Sequence, residues 1–165
     1  MTLVDDAERE IVAFHDFLEG WLGGSLDQTD EQFERAEAVL PDEFEIVSPS
    51  GERRSGTAIR SDLRNGHGSL AADDSDPGFR IRIENVRTRF EREDSCLLTY
   101  EEWQRQGSQW EGRLSSVLFR EKEGTPNGVE WVHLHETWLP NRVEQDLSWM
   151  SPADLEDDAE AVKDL

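Results

Sequence analysis

The second half of the chain constrains the fold most, because it contains four long segments with the composition of β-strands. β-Branched and aromatic residues are enriched in these segments, as they are in strands generally. The segments are residues 79–90, 96–105, 110–121 and 129–139, and only short turn clusters separate them. Short connections join antiparallel neighbours, whereas parallel neighbours need a long crossover. We therefore expect an antiparallel meander.

The first third of the chain predicts helices. Between residues 5 and 22, apolar side chains recur at spacings of three and four, which is typical of one buried helical stripe. These side chains are Ala7, Ile11, Phe14, Leu18 and Trp21. Thr29 with Gln32 is a capping-box signature that opens a second helix, which ends at Pro41. A short strand over 44–48 and a third helix from Gly56 to about Asn65 follow.

Helices that precede an antiparallel meander predict an α+β fold with the helices packed on one face of the sheet. At 165 residues the chain is long enough for one domain with its own core and too short for two. Cys96 is the only cysteine and lies in an apolar strand, so we expect a buried, inert thiol.

The charge of the chain is strongly acidic, with 17 basic against 38 acidic residues and a net charge of −21. The acids are dispersed along the chain, and Lys122 and Lys163 are the only lysines. Such a composition is typical of proteins from salt-adapted cytoplasm, where ions screen self-repulsion. An acidic surface for a basic partner is the alternative. Nucleic-acid binding is not expected, because no basic stripe exists to contact phosphates.

No membrane association is expected either. The N-terminus, MTLVDDAERE, lacks the basic and apolar regions of a signal peptide, and no apolar run approaches the ~20 residues of a membrane span. We therefore expect a cytoplasmic protein.

The segment WVHLHETWLP, residues 131–140, places imidazoles, a carboxylate and indoles in strict alternation. Because strand side chains alternate between faces, one face is predicted to carry Trp131, His133, His135 and Thr137. The opposite face is predicted to carry Val132, Leu134, Glu136 and Trp138. Neither face has the pattern of a strand with one wet side, so both are expected to meet core, a ligand or a second subunit.

The order of these elements resembles the nuclear-transport-factor-2-like superfamily, within it the SnoaL-like and ketosteroid-isomerase-like domains. FEIVSPSGERRSG, residues 44–56, and WVHLHETWLP carry the resemblance. The second segment is also similar to the closing strand of the calcium/calmodulin-dependent protein kinase II association domain. The resemblance implies a curved, cone-shaped antiparallel sheet around the N-terminal helices, a pocket between them, and homodimers formed through the sheet. It covers about Asp5 to Pro140, and the SnoaL-like domain is expected over residues 1–140. Residues 141–165 then form an acidic C-terminal extension, either a short docked helix or a frayed tail.

Seven residues are candidates for binding a small apolar or weakly polar ligand in such a pocket. They are Trp21, Tyr100, Glu102, Arg113, His133, His135 and Glu136. Tyr100 and Glu102 share one strand face and resemble the phenol and carboxylate of ketosteroid isomerases, but a phenol packed at the sheet surface is favoured. His15, beside the buried stripe of the first helix, is predicted to lie at the pocket rim.

Glu136 and the histidine pair have alternative interpretations. Glu136 is either a buried general base with a raised pKa or the partner of an arginine such as Arg113, and the ion pair is favoured. His133 and His135 could ligate a metal, but no third ligand is placed near them, so hydrogen bonding within the sheet or across an interface is favoured. No metal and no cofactor are expected.

The resemblance therefore predicts a SnoaL-like small-molecule-binding or interaction domain that forms dimers. The alternative is an enzyme of the isomerase, cyclase or dehydratase type, with acid–base work by a pocket carboxylate and a tyrosine or histidine.

Overall fold

The computed structural model describes residues 1–145, which form three helices and six strands. In chain order they are α1 (Leu3–Leu22), α2 (Asp30–Glu37), β1 (Glu45–Val47), β2 (Arg53–Ser55), α3 (Gly56–Asn65), β3 (Arg80–Glu91), β4 (Ser95–Gln106), β5 (Gln109–Glu121) and β6 (Val129–Gln145). The predicted α+β class and the meander of the four long strands are confirmed. The predicted helix or frayed tail at the C-terminus falls largely on residues 146–165, outside the described residues.

The sheet is mixed and open, with strand order β2-β1-β6-β5-β4-β3. β1 pairs with β6 in parallel, with Ile46 opposite Leu134. The sequence predicted an antiparallel sheet, and this pair is the exception. The parallel pair is possible because α3 and four strands lie between β1 and β6 in the chain, which is ample length for a crossover. β2 was not predicted, because its sequence RRS has no apolar alternation.

Side-chain caps start all three helices. Thr2 and Asp5 form a reciprocal capping box at the start of α1, with the Asp5 amide 3.2 Å from Thr2 Oγ1. Thr29 accepts from the Gln32 amide at 3.2 Å, which confirms the predicted start of α2. Ser55 caps α3 by accepting from the Ala58 amide at 3.1 Å.

The core lies between the helices and the concave face of the sheet. α1 contributes the stripe that its periodicity predicted, and the long strands contribute their alternate, inward residues. The largest fully buried side chains are Trp21, Trp131, Tyr100, Phe33 and Phe119. Cys96 is buried at 0% exposure as predicted, and burial raises the pKa of its thiol to about 11.

A register shift in β6 changes the faces that the sequence predicted for this strand. Phe119 of β5 lies opposite Trp131, whereas the preceding residue, Leu118, lies opposite His133, so Val132 is the extra residue. Trp131 is therefore buried with Leu134 rather than sharing a face with the histidines. The prediction that Trp131, His133 and His135 share a face is wrong, because a one-residue bulge reverses the alternation.

The convex face of the sheet has no covering element among the described residues. It includes half-buried or exposed leucines, among them Leu114 at 40% exposure and Leu118. Towards one end of this face the Trp103 ring lies over Gly112. A Cβ at residue 112 would come within 2.6 Å of that ring, so only glycine leaves room for it.

None of the helices in residues 1–145 is both long enough and apolar enough to cross a membrane.

Candidate functional site

A cavity of about 180 Å³ lies between α1, α3 and the concave face of the sheet. Most of its wall is apolar, which is usual for a small-molecule site. The apolar lining residues are Phe14, Leu18, Leu40, Phe44, Ile46, Ile59, Leu63, Trp131 and Leu134. The polar lining residues are His15, Glu102, Gln104, Arg113 and Glu136.

The polar residues converge because strand pairing brings them together. Glu102 of β4 lies directly opposite Arg113 of β5, which in turn lies opposite Trp138 of β6. Glu136 lies opposite Ser115, one inward position along from Arg113. The strands β4, β5 and β6 therefore bring polar groups to one wall of an otherwise apolar cavity, and α1 adds His15.

His15 and Glu102 form a buried pair on this wall. Nε2 of His15 is 2.9 Å from Oε1 of Glu102, and Nδ1 is 2.6 Å from the carbonyl oxygen of Ile11. Since a carbonyl only accepts, Nδ1 carries a proton, and the contact with Glu102 needs a second proton between the two groups. Burial lowers the pKa of His15, but the charge and hydrogen bond of Glu102 outweigh it and raise that pKa.

Glu102 is ionised in this arrangement. Burial alone would raise the pKa of its carboxyl, but His15, Arg113 and the amide of Gln104, which donates to Oε2, lower that pKa well below its ordinary value. Both shifts favour an imidazolium beside a carboxylate in the folded chain.

The pKa of Glu136 is shifted in the opposite direction, upward. It is 5% exposed, and burial together with the nearby charge of Glu102 raises the pKa of its carboxyl to about 7, despite the opposing effect of Arg113. Arg113 Nη1 is 3.4 Å from Oε1, and Ser115 Oγ donates to Oε2 at 3.3 Å. The favoured ion pair with Arg113 is confirmed, and it coexists with the raised pKa that the alternative interpretation required.

A second cleft of about 210 Å³ adjoins the cavity and shares Gln104 and Arg113 with it. Its wall is mainly polar. The remaining lining residues are Gln106, Gln109, Trp110, Glu111 and Val143. The two hollows are neighbours on the sheet because β4 and β5 pair Glu102 with Arg113, Gln104 with Glu111 and Gln106 with Gln109 in successive rungs.

Of the seven candidates from the sequence, the structure brings Glu102, Arg113 and Glu136 together in the cavity wall. Trp21 is buried beside α3 and donates from Nε1 to the carbonyl oxygen of Leu63 at 2.6 Å. Tyr100 is buried under the wall, directly opposite Ser115 of β5. Burial and the nearby glutamates raise the pKa of that phenol well above its ordinary value.

His133 and His135 lie outside the cavity, on the convex face. Their ring centroids are 6.4 Å apart, and His133 Nδ1 lies 3.6 Å from Glu45 Oε1. They face away from Leu134 by ordinary strand alternation, and the bulge at Val132 turns Trp131 to the Leu134 face as well. Within the described part of the chain, no three histidine, cysteine or acidic side chains are grouped so that they could hold a metal ion.

Of the polar residues of the cavity, His15 was expected at the rim and Gln104 was not predicted. His15 is 4% exposed rather than at the rim, and its position four residues after Ile11 was a signal that it lies on the buried side of α1. Gln104 could have been found from its strand alternation with Glu102.

Comparison with known proteins identifies relatives in two groups. Residues 7–140 match the family described as "Sucrose-6-phosphate phosphohydrolase C-terminal". Sucrose-phosphatase 1 of Nicotiana tabacum is 30% identical over 142 residues, which cover 85% of this chain and 32% of that protein. The chain therefore spans about a third of the length of the curated relatives that it matches.

Solved structures confirm the predicted superfamily. An NTF-2-like protein of unknown function from Pseudomonas aeruginosa is 26% identical with a TM-score of 0.69, covering 81% of this chain and 98% of that one. The CamKII hub homology domain of Chlamydomonas reinhardtii has the same fold at 14% identity and a TM-score of 0.56, covering 81% and 98%.

The functional prediction from the sequence is wrong. It named a SnoaL-like binding or interaction domain, with an isomerase, cyclase or dehydratase as the alternative, whereas the family match is to sucrose-phosphatases. A fold-level resemblance could not make this distinction, because the fold hosts many activities. The match over residues 7–140 shows that the chain belongs to the sucrose-6-phosphate phosphohydrolase C-terminal family.

Proposed function

We propose that this chain is the C-terminal accessory domain of a sucrose-phosphatase-type system and that its cavity binds a sugar. The family match supplies the chemical class of the ligand, because the relatives are named for a sugar phosphate and its hydrolysis. The observation that carries the proposal is the composition of the cavity wall, in which one side is apolar and aromatic and the other presents carboxylates, an amide and a guanidinium.

A sugar ring suits both sides of this cavity. Its hydroxyl groups donate and accept hydrogen bonds, and the wall offers acceptors on Glu136 and donors on Gln104 and Arg113. Its C–H faces suit the rings of Phe14 and Trp131. The volume of about 180 Å³ is below the ~300 Å³ at which pockets for drug-sized ligands begin, so one ring is the appropriate size.

Titration calorimetry with glucose, fructose and sucrose tests the proposal, using the chain in molar KCl. Ile59→Trp places an indole in the cavity from α3 and is expected to weaken binding at least about tenfold, since it occupies the ligand volume. Ser61→Trp adds the same side chain at an exposed position of the same helix and is expected to bind like the unmodified chain. If none of the three sugars binds, or if the two variants weaken binding equally, the proposal fails.

We also propose that the chain forms a homodimer through the convex face of its sheet. The uncovered leucines of that face support this, since apolar surface gains most from a partner. Leu114→Glu is expected to yield monomers in light scattering after size exclusion, because it would bury a charge in the interface. Val12→Glu changes an equally exposed apolar residue of α1 and should leave the mass unchanged. A monomeric unmodified chain would contradict this.

The cytoplasmic location and the adaptation to high salt are further parts of the proposal. The dispersed acid excess and the net charge of −21 support them.

A further inference from the structure

The cavity and the adjoining cleft lie along one polar ladder on the concave face of the sheet. Its rungs are the directly opposed pairs of β4 and β5, from Glu102 with Arg113 through Gln104 with Glu111 to Gln106 with Gln109. Successive rungs are two residues apart, so neighbouring rungs are separated by about 6.6 Å and the ladder extends for about 13 Å.

The middle of this ladder belongs to both hollows. Gln104 and Arg113 line the cavity of about 180 Å³ and also the cleft of about 210 Å³. The two volumes are of similar size, but their walls differ in chemistry. The inner cavity has aromatic and aliphatic walls, whereas the outer cleft is lined by amide side chains of three glutamines together with Glu111.

We propose that the two hollows form one site for a disaccharide, with one ring in the inner cavity and the second ring in the outer cleft. This inference rests on the proposed sugar-binding function and names the ligand class. The inner ring would contact the apolar wall, and the outer ring would exchange hydrogen bonds with Gln106 and Gln109. Gln104 and Arg113 would then lie at the junction of the rings, where their donors can reach the bridging oxygen or the hydroxyls beside it.

Amides suit the outer ring for a physical reason. Each glutamine offers two N–H donors and a carbonyl acceptor without a net charge, which matches a hydroxyl that both donates and accepts. The outer cleft is open to solvent around Gln109, an exposed residue. The second ring could therefore extend outward without complete desolvation of its hydroxyls.

The test compares sucrose with glucose and fructose by titration calorimetry on the chain as it stands. The second ring is expected to make sucrose bind about tenfold or more tightly than either monosaccharide, because it adds several hydrogen bonds. Gln109→Trp fills the outer cleft and is expected to reduce sucrose to the affinity of the monosaccharides, while the monosaccharide dissociation constants stay within about twofold.

Ser108→Trp is the matched control, since it adds an indole at the neighbouring exposed turn residue, which does not line the cleft. It is expected to leave all three dissociation constants unchanged. The disaccharide site is overturned if sucrose binds no tighter than glucose and fructose, or if Gln109→Trp weakens all three sugars alike. In either case monosaccharide binding would still support the proposed sugar-binding function, whereas failure of all three sugars to bind would overturn both.

Discussion

At the scale of single residues, Glu10 joins more elements than its position on a helix suggests. It is fully buried, and its carboxylate accepts from Arg35 Nη2 at 2.6 and 3.0 Å. The amide of Asn127 and Nε1 of Trp131 each donate to it at 3.2 Å. α1, α2 and β6 therefore meet at one side chain whose hydrogen bonds are all inside the protein.

Glu10→Ala is expected to lower the free energy of unfolding by about 3 kcal/mol, because it leaves the half-buried Arg35 charge and the buried Trp131 N–H without their acceptor. Asp16→Ala removes an exposed acid from the same helix and should change stability by less than about 0.5 kcal/mol. Urea unfolding in molar KCl measures both. Equal losses in the two variants would show that the network around Glu10 is not a major contributor.

The second prediction at this scale concerns the pH dependence that Glu136 causes. The pKa of its carboxyl is about 7 in the folded chain, above its ordinary value of 4.5, so the folded state binds the extra proton between these values. The contribution of this carboxyl to the free energy of unfolding is fully present below pH 4.5 and is lost as the pH rises through 7. Glu136→Gln removes the titration, and its stability relative to the unmodified chain should rise by up to about 3 kcal/mol between pH 5 and 8.

The matched control is Glu130→Gln on the same strand. The pKa of Glu130 is lowered, burial being outweighed by its hydrogen bonds with Arg120 and Lys122, so this group titrates below pH 5 in both states. The Glu130 variant should differ from the unmodified chain by a constant amount from pH 5 to 8. A constant difference for Glu136→Gln as well would refute the raised pKa. Urea denaturation at each pH provides the free energies.

At the scale of elements, α3 supplies Ile59 and Leu63 to the cavity although it has only ten residues. A helix of this length is marginal by itself, so its cap and its packing determine whether it forms. The cap is Ser55, and Gly56 follows at a position where a Cβ would come within 1.8 Å of the Pro41 carbonyl oxygen. Two adjacent residues therefore fix where α3 begins.

Ser55→Ala is expected to cost about 1 kcal/mol of stability, because the Ala58 amide loses its acceptor at the helix start. Ser61→Ala replaces an exposed serine inside the same helix and should be neutral or slightly stabilising, since alanine is the better helix former. Thermal unfolding of both variants makes the comparison. If Ser61→Ala loses as much stability as Ser55→Ala, the loss of the cap does not explain the effect of Ser55→Ala.

At the scale of the whole molecule, the net charge of −21 dominates the response to solvent. At 0.1 M salt the Debye length is about 10 Å and charges repel across the surface, whereas at 1 M it is about 3 Å. The melting temperature is expected to rise by about 5 °C or more from 0.1 M KCl to molar KCl, which corresponds to about 2 kcal/mol.

Glycine betaine at matched osmolality is the control for this measurement. It is excluded from protein surfaces but does not screen charge, so its effect on the melting temperature should be smaller. An equal effect of KCl and betaine would contradict an electrostatic origin.

The helices, the cap at Thr29 and the four long strands were predictable, because their signals are local. Ile11, Phe14 and Leu18 recur with the helical period, and Thr29 with Gln32 marks a helix start within four residues. β2 was not predictable, because a three-residue polar strand gains its order only from the neighbour that it pairs with. The parallel pairing of β1 with β6 was not predictable either, because it joins strands that are far apart in the chain.

For the candidate site, the sequence identified Glu102, Arg113 and Glu136 but also His133 and His135, which lie on the other side of the sheet. Alternation already placed the histidines and Glu136 on opposite faces of β6, and only the structure showed which face lines the cavity. The extra residue Val132 moves Trp131 alone to the Glu136 face, and a bulge has no signature in strict alternation. His15 was misplaced for a related reason, since its partner Glu102 is 87 residues away along the chain.

By itself, then, the sequence determined the element order, the helix starts and the strongly acidic character, because propensity, capping and charge act over a few residues or by simple summation. Only the tertiary structure decided which side chains share a wall. Strand register, one bulge and the return of β6 beside β1 placed His15, Glu102, Arg113 and Glu136 around one cavity. Their altered pKa values follow from that placement, because burial and neighbouring charge arise only when distant parts of the chain come into contact.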